Sequence, residues 1–220
     1  VSNVMTIKKL STPQVPLNTF KLAVLVSGRG SNLQAIIDSI DREELDAHLS
    51  IVISNTKDAI ALKRAEKHGI KTIFIDPSNY LSSKEYDKAL VLKLKEFSVD
   101  LICLAGYMRI LGEEVIQTFE KKIINIHPSL LPAFPGMNAQ KQAINHGVKF
   151  SGCTVHFVDF GVDTGPIILQ TVVPVYDNDD EKSLSKRILE QEHYLYPKAI
   201  KMIQENKVRL NGRTVTSKII

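Results

Sequence analysis

The run Asn-Ile-His-Pro-Ser-Leu-Leu-Pro, from Asn125 to Pro132, places an amide and an imidazole two residues apart. Residues two apart on a strand point to the same face, so Asn125 and His127 could act on one ligand. An amide can stabilise a developing oxyanion and an imidazole can transfer a proton, and acyl transfer requires both. The alternative is a polar strand end with a surface histidine, and these residues alone leave both interpretations open.

A carboxylate that could act with this pair is Asp163, in the glycine-containing turn Gly161–Pro166. Near His127 it would raise the pKa of the imidazole and favour the imidazolium form. A turn aspartate commonly hydrogen-bonds its own backbone, and the local sequence favours that simpler role. His156 alternates with Thr154 on a predicted strand face, a pattern typical of a core histidine.

A second candidate site is the glycine loop Ser27–Asn32, between a predicted strand and a predicted helix. Gly28 and Gly30 would let the backbone approach a ligand, and the free N–H groups of a helix N-terminus bind phosphate. The third glycine of the dinucleotide fingerprint is replaced by Leu33, and the second strand ends at Ser54-Asn55 without an acidic residue. We therefore expect a mononucleotide-type phosphate rather than NAD, with a plain turn as the alternative.

A third polar position is Glu192, which falls on the apolar stripe of the predicted last helix, between Ile188 and Leu195. A carboxylate that faces inward needs a partner. That partner could be a ligand amine, a ribose or an internal salt bridge. Pro197 lacks an N–H and predicts a kink in the same helix.

Strands and helices alternate along most of the chain, which predicts right-handed βαβ units and a parallel sheet. The predicted strands are Lys21–Ser27, Leu49–Ser54, Lys71–Ile75, Asp100–Ala105, Lys122–Ile126, Thr154–Asp159 and Ile167–Val175. The predicted helices are Ser31–Ile40, Ala59–His68, Ser83–Phe97, Glu113–Glu120 and residues 183–203, followed by a hairpin around Asn211-Gly212. After Ile126 a proline-rich loop precedes two strands with no full helix between them. The expected fold is therefore a single-domain Rossmann-like α/β fold, doubly wound and mostly parallel, with a mixed edge.

Composition is that of a globular protein, with 44% hydrophobic and 24% charged residues among 220. No apolar run is long enough to span a bilayer. The net charge of +4 is spread along the chain, which favours a small anionic ligand over nucleic acid. Cys103 and Cys153 are expected to be reduced core residues, which predicts a cytoplasmic location, and no cluster has metal-ligand spacing. Residues 1–20 are expected to be a tail, with a trimmed targeting sequence as the alternative, and residues 21–220 the domain.

Four segments together resemble the phosphoribosylglycinamide formyltransferase family: Ser27–Leu33, Ala105–Leu111, Asn125–Pro132 and Asp163–Pro166. The Asn-x-His-Pro-Ser-Leu-Leu-Pro run is specific for transferases that use formyltetrahydrofolate, and the glycine loop selects the glycinamide branch. The resemblance covers about residues 21–210. It implies the formyltransferase fold and transfer of the formyl group of 10-formyltetrahydrofolate to the amine of glycinamide ribonucleotide, in purine biosynthesis.

The resemblance also implies roles for individual residues. Asn125 would hold the formyl oxygen, and His127 would donate a proton. Asp163 would raise the pKa of His127 and order a water, and His156 would lie near the site. The phosphate and ribose of the acceptor would contact Gly30, Ser31, Asn32 and Glu192. The folate pocket would be lined by Met108, Arg109, Ile110, Leu111 and the loop Phe160–Asp163.

Two rival functions remain open at this stage. A formyltetrahydrofolate hydrolase would share the Asn, His and Asp set, but would carry an N-terminal regulatory domain for which 20 residues leave no room. A non-catalytic nucleotide-binding module would not need all three residue types.

The expected partners are the two small-molecule substrates, without metal, nucleic acid or membrane, for a monomer or homodimer. Many relatives carry an arginine before the Tyr86-Asp87 pair, and the sequence leaves open whether Lys84 replaces it.

Overall fold

Strands and helices alternate along most of the chain. The computed structural model describes residues 19–217, so nearly all of the predicted tail lies outside the described residues. The strands are β1 (Phe20–Val26), β2 (Ala47–Ser54), β3 (Thr72–Phe74), β4 (Leu101–Leu104), β5 (Ile123–His127), β6 (Phe150–Phe157), β7 (Ile167–Pro174), β8 (Val208–Asn211) and β9 (Thr214–Ser217). The helices are α1 (Ser31–Asp41), α2 (Ile60–Lys67), α3 (Ser83–Glu96), α4 (Glu113–Thr118), α5 (Ala139–His146) and α6 (Glu181–Gln204).

Seven of these strands form one sheet in the order β3-β2-β1-β4-β5-β6-β7. Neighbours from β3 to β5 are parallel, whereas β6 is antiparallel to both β5 and β7. The mostly parallel sheet with a mixed edge is therefore confirmed. Strands β8 and β9 form a separate hairpin, as predicted around Asn211-Gly212.

Helices cover both faces of the sheet, which explains why the central strands are apolar on both sides. One core packs side chains of α1, α2 and α6 against the sheet, and the other packs α3 and α4 against the opposite face. Strand β1 alternates between the two cores, since Leu22 and Val24 belong to the first and Ala23 and Leu25 to the second. No helix in residues 19–217 is long and apolar enough to cross a membrane.

Two features between β5 and β7 differ from the prediction. Helix α5 was not predicted, because it buries only Ala139 and Ala143 and so shows little apolar periodicity. It is bounded by left-handed residues, Asn138 at its start and Gly147 at its end. Strand β6 begins at Phe150, four residues before the predicted start. In the last helix, α6 continues through Pro197, and the kink stays a prediction.

Candidate active site

Three loops meet at the carboxyl edge of the sheet because β1, β4 and β5 are adjacent and parallel. This edge is the usual ligand-binding position in open α/β sheets. The loop after β1 contacts the loop after β4 directly. The Ser27 amide donates to the Gly106 carbonyl at 3.1 Å, and the Met108 amide donates to Ser27 Oγ at 2.8 Å. The predicted phosphate and folate segments are therefore hydrogen-bonded to each other.

Asn125, His127, Asp163 and His156 form one side-chain cluster at this edge. Asp163 Oδ2 lies 3.2 Å from His127 Nδ1, and Asn125 Nδ2 donates to Asp163 Oδ1 at 3.3 Å. His156 Nε2 lies 3.5 Å from Asp163 Oδ1 and 3.3 Å from Asn125 Nδ2. His156 sits opposite Asn125 in the register of β5 and β6, so the sheet itself pairs them. The structure thus brings together the three predicted catalytic residues and His156.

The His127 imidazole faces an acceptor oxygen on each side. Its Nε2 lies 2.9 Å from the Phe134 carbonyl oxygen, and its Nδ1 faces the Asp163 carboxylate. A ring that donates to both is the imidazolium form. Burial lowers the pKa of His127, while the Phe134 carbonyl and the Asp163 carboxylate act to raise it. Burial prevails and leaves the pKa of His127 below its ordinary value, so the imidazolium form depends on these two acceptors.

Asp163 is largely buried, with 12% of its side chain exposed. Its backbone is left-handed, with φ of 55°, and its Oδ2 accepts the Gly136 amide at 2.8 Å. Burial opposes its ionisation, but hydrogen bonds from His156 and Gly136 and the charge of His127 outweigh burial and hold its pKa below the ordinary value. Asp163 is thus an ionised group shared by both histidines.

The local turn role belongs to a different aspartate. Asp159 Oδ1 accepts the Gly161 amide at 3.1 Å and the Thr164 hydroxyl at 2.6 Å. These are the bonds of an Asx-type turn. Asp163 instead bonds to segments at least 27 residues earlier in the chain, together with the nearby His156. The local turn role that the sequence favoured for Asp163 is therefore wrong, because Asp159 makes the bonds of the turn.

Gly30 is constrained by packing as well as by backbone conformation. Its φ is +71°, and a Cβ there would lie 2.5 Å from Ala61 Cβ of α2. A Cβ on Gly28 would meet nothing within 4 Å. Helix α1 starts at Ser31 without a side-chain cap, so its first N–H groups lack intrahelical partners and carry partial positive charge. The loop is therefore suited to an anion, although Gly30 is also required by its contact with Ala61.

Arg64 adds a cation to this end of the molecule. Its Nε donates to the Arg29 carbonyl at 2.9 Å, and its guanidinium also contacts Gln34 at 3.3 Å. A cavity of about 320 Å³ lies alongside, lined in part by Ser31, Gln34, Arg64 and His193. The guanidinium therefore borders open space next to the first turn of α1.

The partner of the inward-facing Glu192 is Asn32. Asn32 Nδ2 donates to Glu192 Oε2 at 2.7 Å, and both residues are buried. Burial raises the pKa of Glu192, and the bond from Asn32 acts against that rise. The remaining Asn32 oxygen is buried without a partner among the described residues. Of the predicted alternatives the internal one is present, but as an amide–carboxylate bond rather than a salt bridge.

The predicted folate segment presents both exposed and buried side chains. Met108, Ile110 and Phe160 are 65%, 76% and 66% exposed, whereas Leu111 is in the core. Exposed apolar side chains of this size commonly mark a binding surface when they occur together. The Arg109 guanidinium stacks 4.4 Å from the centre of the Tyr86 ring. Leu111 can therefore offer a ligand its backbone only, while Met108, Ile110 and Phe160 offer apolar surface.

Sequence reasoning missed three groups that complete the site. They are the Phe134 carbonyl, the Gly136 amide and the Ser27 hydroxyl, which donates to Asn55 Oδ1 at 2.5 Å. The first two are backbone groups of the proline- and glycine-rich loop after β5, and its residue types carry no direct signal of their targets. In residues 19–217 no group of three or more His, Cys, Asp and Glu side chains could hold a metal ion.

Comparison with known proteins gives consistent similarities. The formyl transferase family matches residues 20–200. The chain is 42% identical over 183 residues to phosphoribosylglycinamide formyltransferase of Bacillus subtilis, covering 83% of this chain and 94% of that protein. It superposes on the crystal structure of glycinamide ribonucleotide transformylase 1 from Symbiobacterium toebii with a TM-score of 0.89 and 47% identity, covering 90% and 94% of the two chains.

A longer relative matches through one part of its length. The trifunctional purine biosynthetic protein adenosine-3 of Drosophila melanogaster is 48% identical over 185 residues, which is 83% of this chain but 14% of that protein. The chain thus spans about a seventh of this relative. The family match, the identity to the bacterial enzyme and the shared geometry agree, and the chain therefore belongs to the formyl transferase family.

Proposed function

We propose that the protein transfers the formyl group of 10-formyltetrahydrofolate to the primary amine of glycinamide ribonucleotide, in the synthesis of purine nucleotides. The observation that carries the proposal is the cluster of Asn125, His127 and Asp163 at the same sheet edge as the uncapped start of α1. The bacterial relatives, a phosphoribosylglycinamide formyltransferase and a glycinamide ribonucleotide transformylase, supply the substrate class.

The cluster can stabilise the transition state of formyl transfer. When the acceptor amine attacks the formyl carbon, negative charge develops on the formyl oxygen. The Asn125 amide and the His127 imidazolium would be the donors to that oxygen, His127 by exchanging its Nε2 contact with the Phe134 carbonyl for one with the formyl oxygen. Removal of one such donor typically lowers the rate by 10²–10³-fold, or about 3–4 kcal/mol. Asn125 and His127 point to the same side of β5, so one oxygen can contact both.

The proton balance of the reaction requires an acid and a base. A bond forms between the amine nitrogen and the formyl carbon, and the bond from that carbon to the folate nitrogen breaks. The attacking amine loses one proton, and the departing folate nitrogen gains one. His127 would supply the proton to the folate nitrogen, and the amine proton would return to His127 through a water ordered by Asp163, which stays ionised, so that the pair ends with the charge it began with.

The two substrates have different surfaces to bind. The acceptor phosphate would meet the free N–H groups at Gly30, Ser31 and Asn32, with Arg64 as a nearby cation, and Glu192 would contact the ribonucleotide. The folate would lie on the apolar surface of Met108, Ile110 and Phe160, with backbone groups of Arg109 and Leu111. The protein would act in the cytoplasm, as a monomer or homodimer, without nucleic acid or membrane.

One assay separates this activity from its rival. Purified protein is mixed with 10-formyltetrahydrofolate, with and without glycinamide ribonucleotide, and the loss of the formyl donor is followed. Formyl transfer predicts loss only when the acceptor is present, with one formylated acceptor formed per folate consumed. Loss at the same rate without acceptor would indicate a hydrolase, and no loss in either mixture would indicate a binding module. Either result would refute the proposal.

A further inference from the structure

Tyr196 of α6 is fully buried beneath β5, the strand that carries Asn125 and His127. Its hydroxyl lies 2.9 Å from the Leu104 carbonyl oxygen and 3.2 Å from the Ile124 carbonyl oxygen. A hydroxyl has one proton, so the two carbonyls share a single donor. Burial raises the pKa of Tyr196 well above its ordinary value, and the hydroxyl therefore stays protonated at any pH at which the enzyme would work.

The hydroxyl sits where β4 and β5 separate. Leu104 and Asn125 are the last registered pair of the two strands. Beyond Leu104 the chain stays hydrogen-bonded to its other neighbour, β1, since the Ala105 amide donates to the Leu25 carbonyl at 2.9 Å, while the register with β5 has ended. The Ile124 carbonyl belongs to the peptide that leads directly into Asn125. The tyrosine hydroxyl thus bridges the strands next to Asn125, the residue whose amide would hold the formyl oxygen.

The same helix also contacts the acceptor side. Glu192 lies four residues before Tyr196, on the same face of α6, and holds Asn32 of the glycine loop at 2.7 Å. We propose that Tyr196 is a positioning residue, which fixes Asn125 relative to the acceptor site by holding the ends of β4 and β5. This inference rests on the proposed function for its kinetic test.

The first test is Tyr196→Phe, which keeps the ring and removes the hydroxyl. Displacement of a catalytic group by about 1 Å can lower a rate 10²-fold, so we expect kcat to fall at least about tenfold. The KM values of both substrates should stay within about threefold of wild type, and the pH profile of kcat should not move, because Tyr196 does not contact His127. Tyr194→Phe is the matched control, since Tyr194 is 65% exposed, and it should leave kcat unchanged.

A purely structural role makes a different prediction. Leu94 is fully buried in the core that packs α3 and α4 against the sheet, so Leu94→Ala should lower the melting temperature. Its kcat should change little when measured well below that melting temperature. If Tyr196→Phe behaves like Leu94→Ala, with kcat within threefold of wild type, the inference is wrong. A parallel rise in both KM values at unchanged kcat would also overturn it.

A second variant keeps the test valid if Tyr196→Phe does not fold. Replacing Tyr196 by 4-aminophenylalanine supplies two N–H donors, one for each carbonyl, and should keep kcat within threefold of wild type. A tenfold loss in that folded variant would contradict the inference.

A crystal structure of Tyr196→Phe supplies a readout without substrate. The distance from Asn125 Nδ2 to Asp163 Oδ1 should exceed the present 3.3 Å, and an unchanged distance would count against positioning. Wild-type protein inactive toward the acceptor would refute the proposed function and leave this distance test intact.

Discussion

Replacing Asp163 by asparagine removes one negative charge while preserving the shape of the side chain. The asparagine carbonyl can still accept the Gly136 amide, which lies 2.8 Å from the present carboxylate. The charge beside His127 Nδ1, at 3.2 Å, is lost. Because burial already lowers the pKa of His127 and Asp163 acts against it, the substitution should lower that pKa further.

The size of the effect follows from this contact. An opposite charge within about 4–6 Å shifts a pKa by roughly 1–3 units, and one unit corresponds to about 1.4 kcal/mol. At a pH above the pKa of His127, each unit by which that pKa falls lowers the protonated fraction of His127 tenfold. We therefore expect kcat near neutral pH to fall by about 10–1,000-fold, with about 100-fold as the central value.

The assay is kcat against pH with the acceptor and the formyl donor saturating. An acid catalyst loses activity as pH rises through its pKa, so the falling limb should move to lower pH in Asp163→Asn. The matched control is Asp159→Asn in the same loop, because asparagine can keep the turn bonds of Asp159 to Gly161 and Thr164. A kcat within tenfold of wild type, with an unmoved limb, would remove Asp163 from the catalytic set.

Stability gives a second readout of the same charge. The pKa of folded Asp163 lies below its ordinary value, so its ionisation stabilises the fold above the unfolded-state pKa. That contribution is lost as pH falls through the folded-state pKa. Asp163→Asn should therefore lower the melting temperature at neutral pH, and the difference from wild type should shrink on acidification. A difference that grows at acid pH would contradict this assignment.

Four further substitutions test other parts of the site. Asn125→Ala and His127→Ala should each lower kcat by at least about 100-fold. Asn145→Ala, at an exposed position, is the control and should not lower it. Turnover within tenfold of wild type for Asn125→Ala and His127→Ala would reject the roles of both residues. Ser31→Asp should raise the acceptor KM at least about tenfold by repelling the phosphate. The melting temperature should not fall, because a carboxylate suits a helix N-terminus. Ser31→Asn is the neutral control, and equal effects of the two substitutions would place the phosphate elsewhere. Glu192→Gln should raise the acceptor KM but not the folate KM. Because burial raises the pKa of Glu192, wild type should lose stability relative to this variant as pH rises through that pKa, and parallel melting curves from pH 4 to 8 would argue against a buried ionising carboxylate.

Local patterns in the sequence determine much of this protein. Short apolar runs predict the strands, and the segments of helical periodicity between them predict the helices. The predicted strand Lys21–Ser27 differs from β1 by one residue at each end. The common face of Asn125 and His127 follows from the two-residue repeat of a strand. Both are short-range properties, because hydrogen bonding and side-chain alternation within an element depend on neighbouring residues.

Tertiary structure decides which polar residues meet. Asp159 and Asp163 occupy one loop, yet Asp159 closes the turn while Asp163 contacts Asn125 and His127, about 36 to 38 positions earlier. Likewise Glu192 finds Asn32 across 160 positions. Such pairings arise only when the packing of helices on the sheet brings distant segments together. Their free energy depends on burial and charge at the contact, which a residue's neighbours in sequence do not specify.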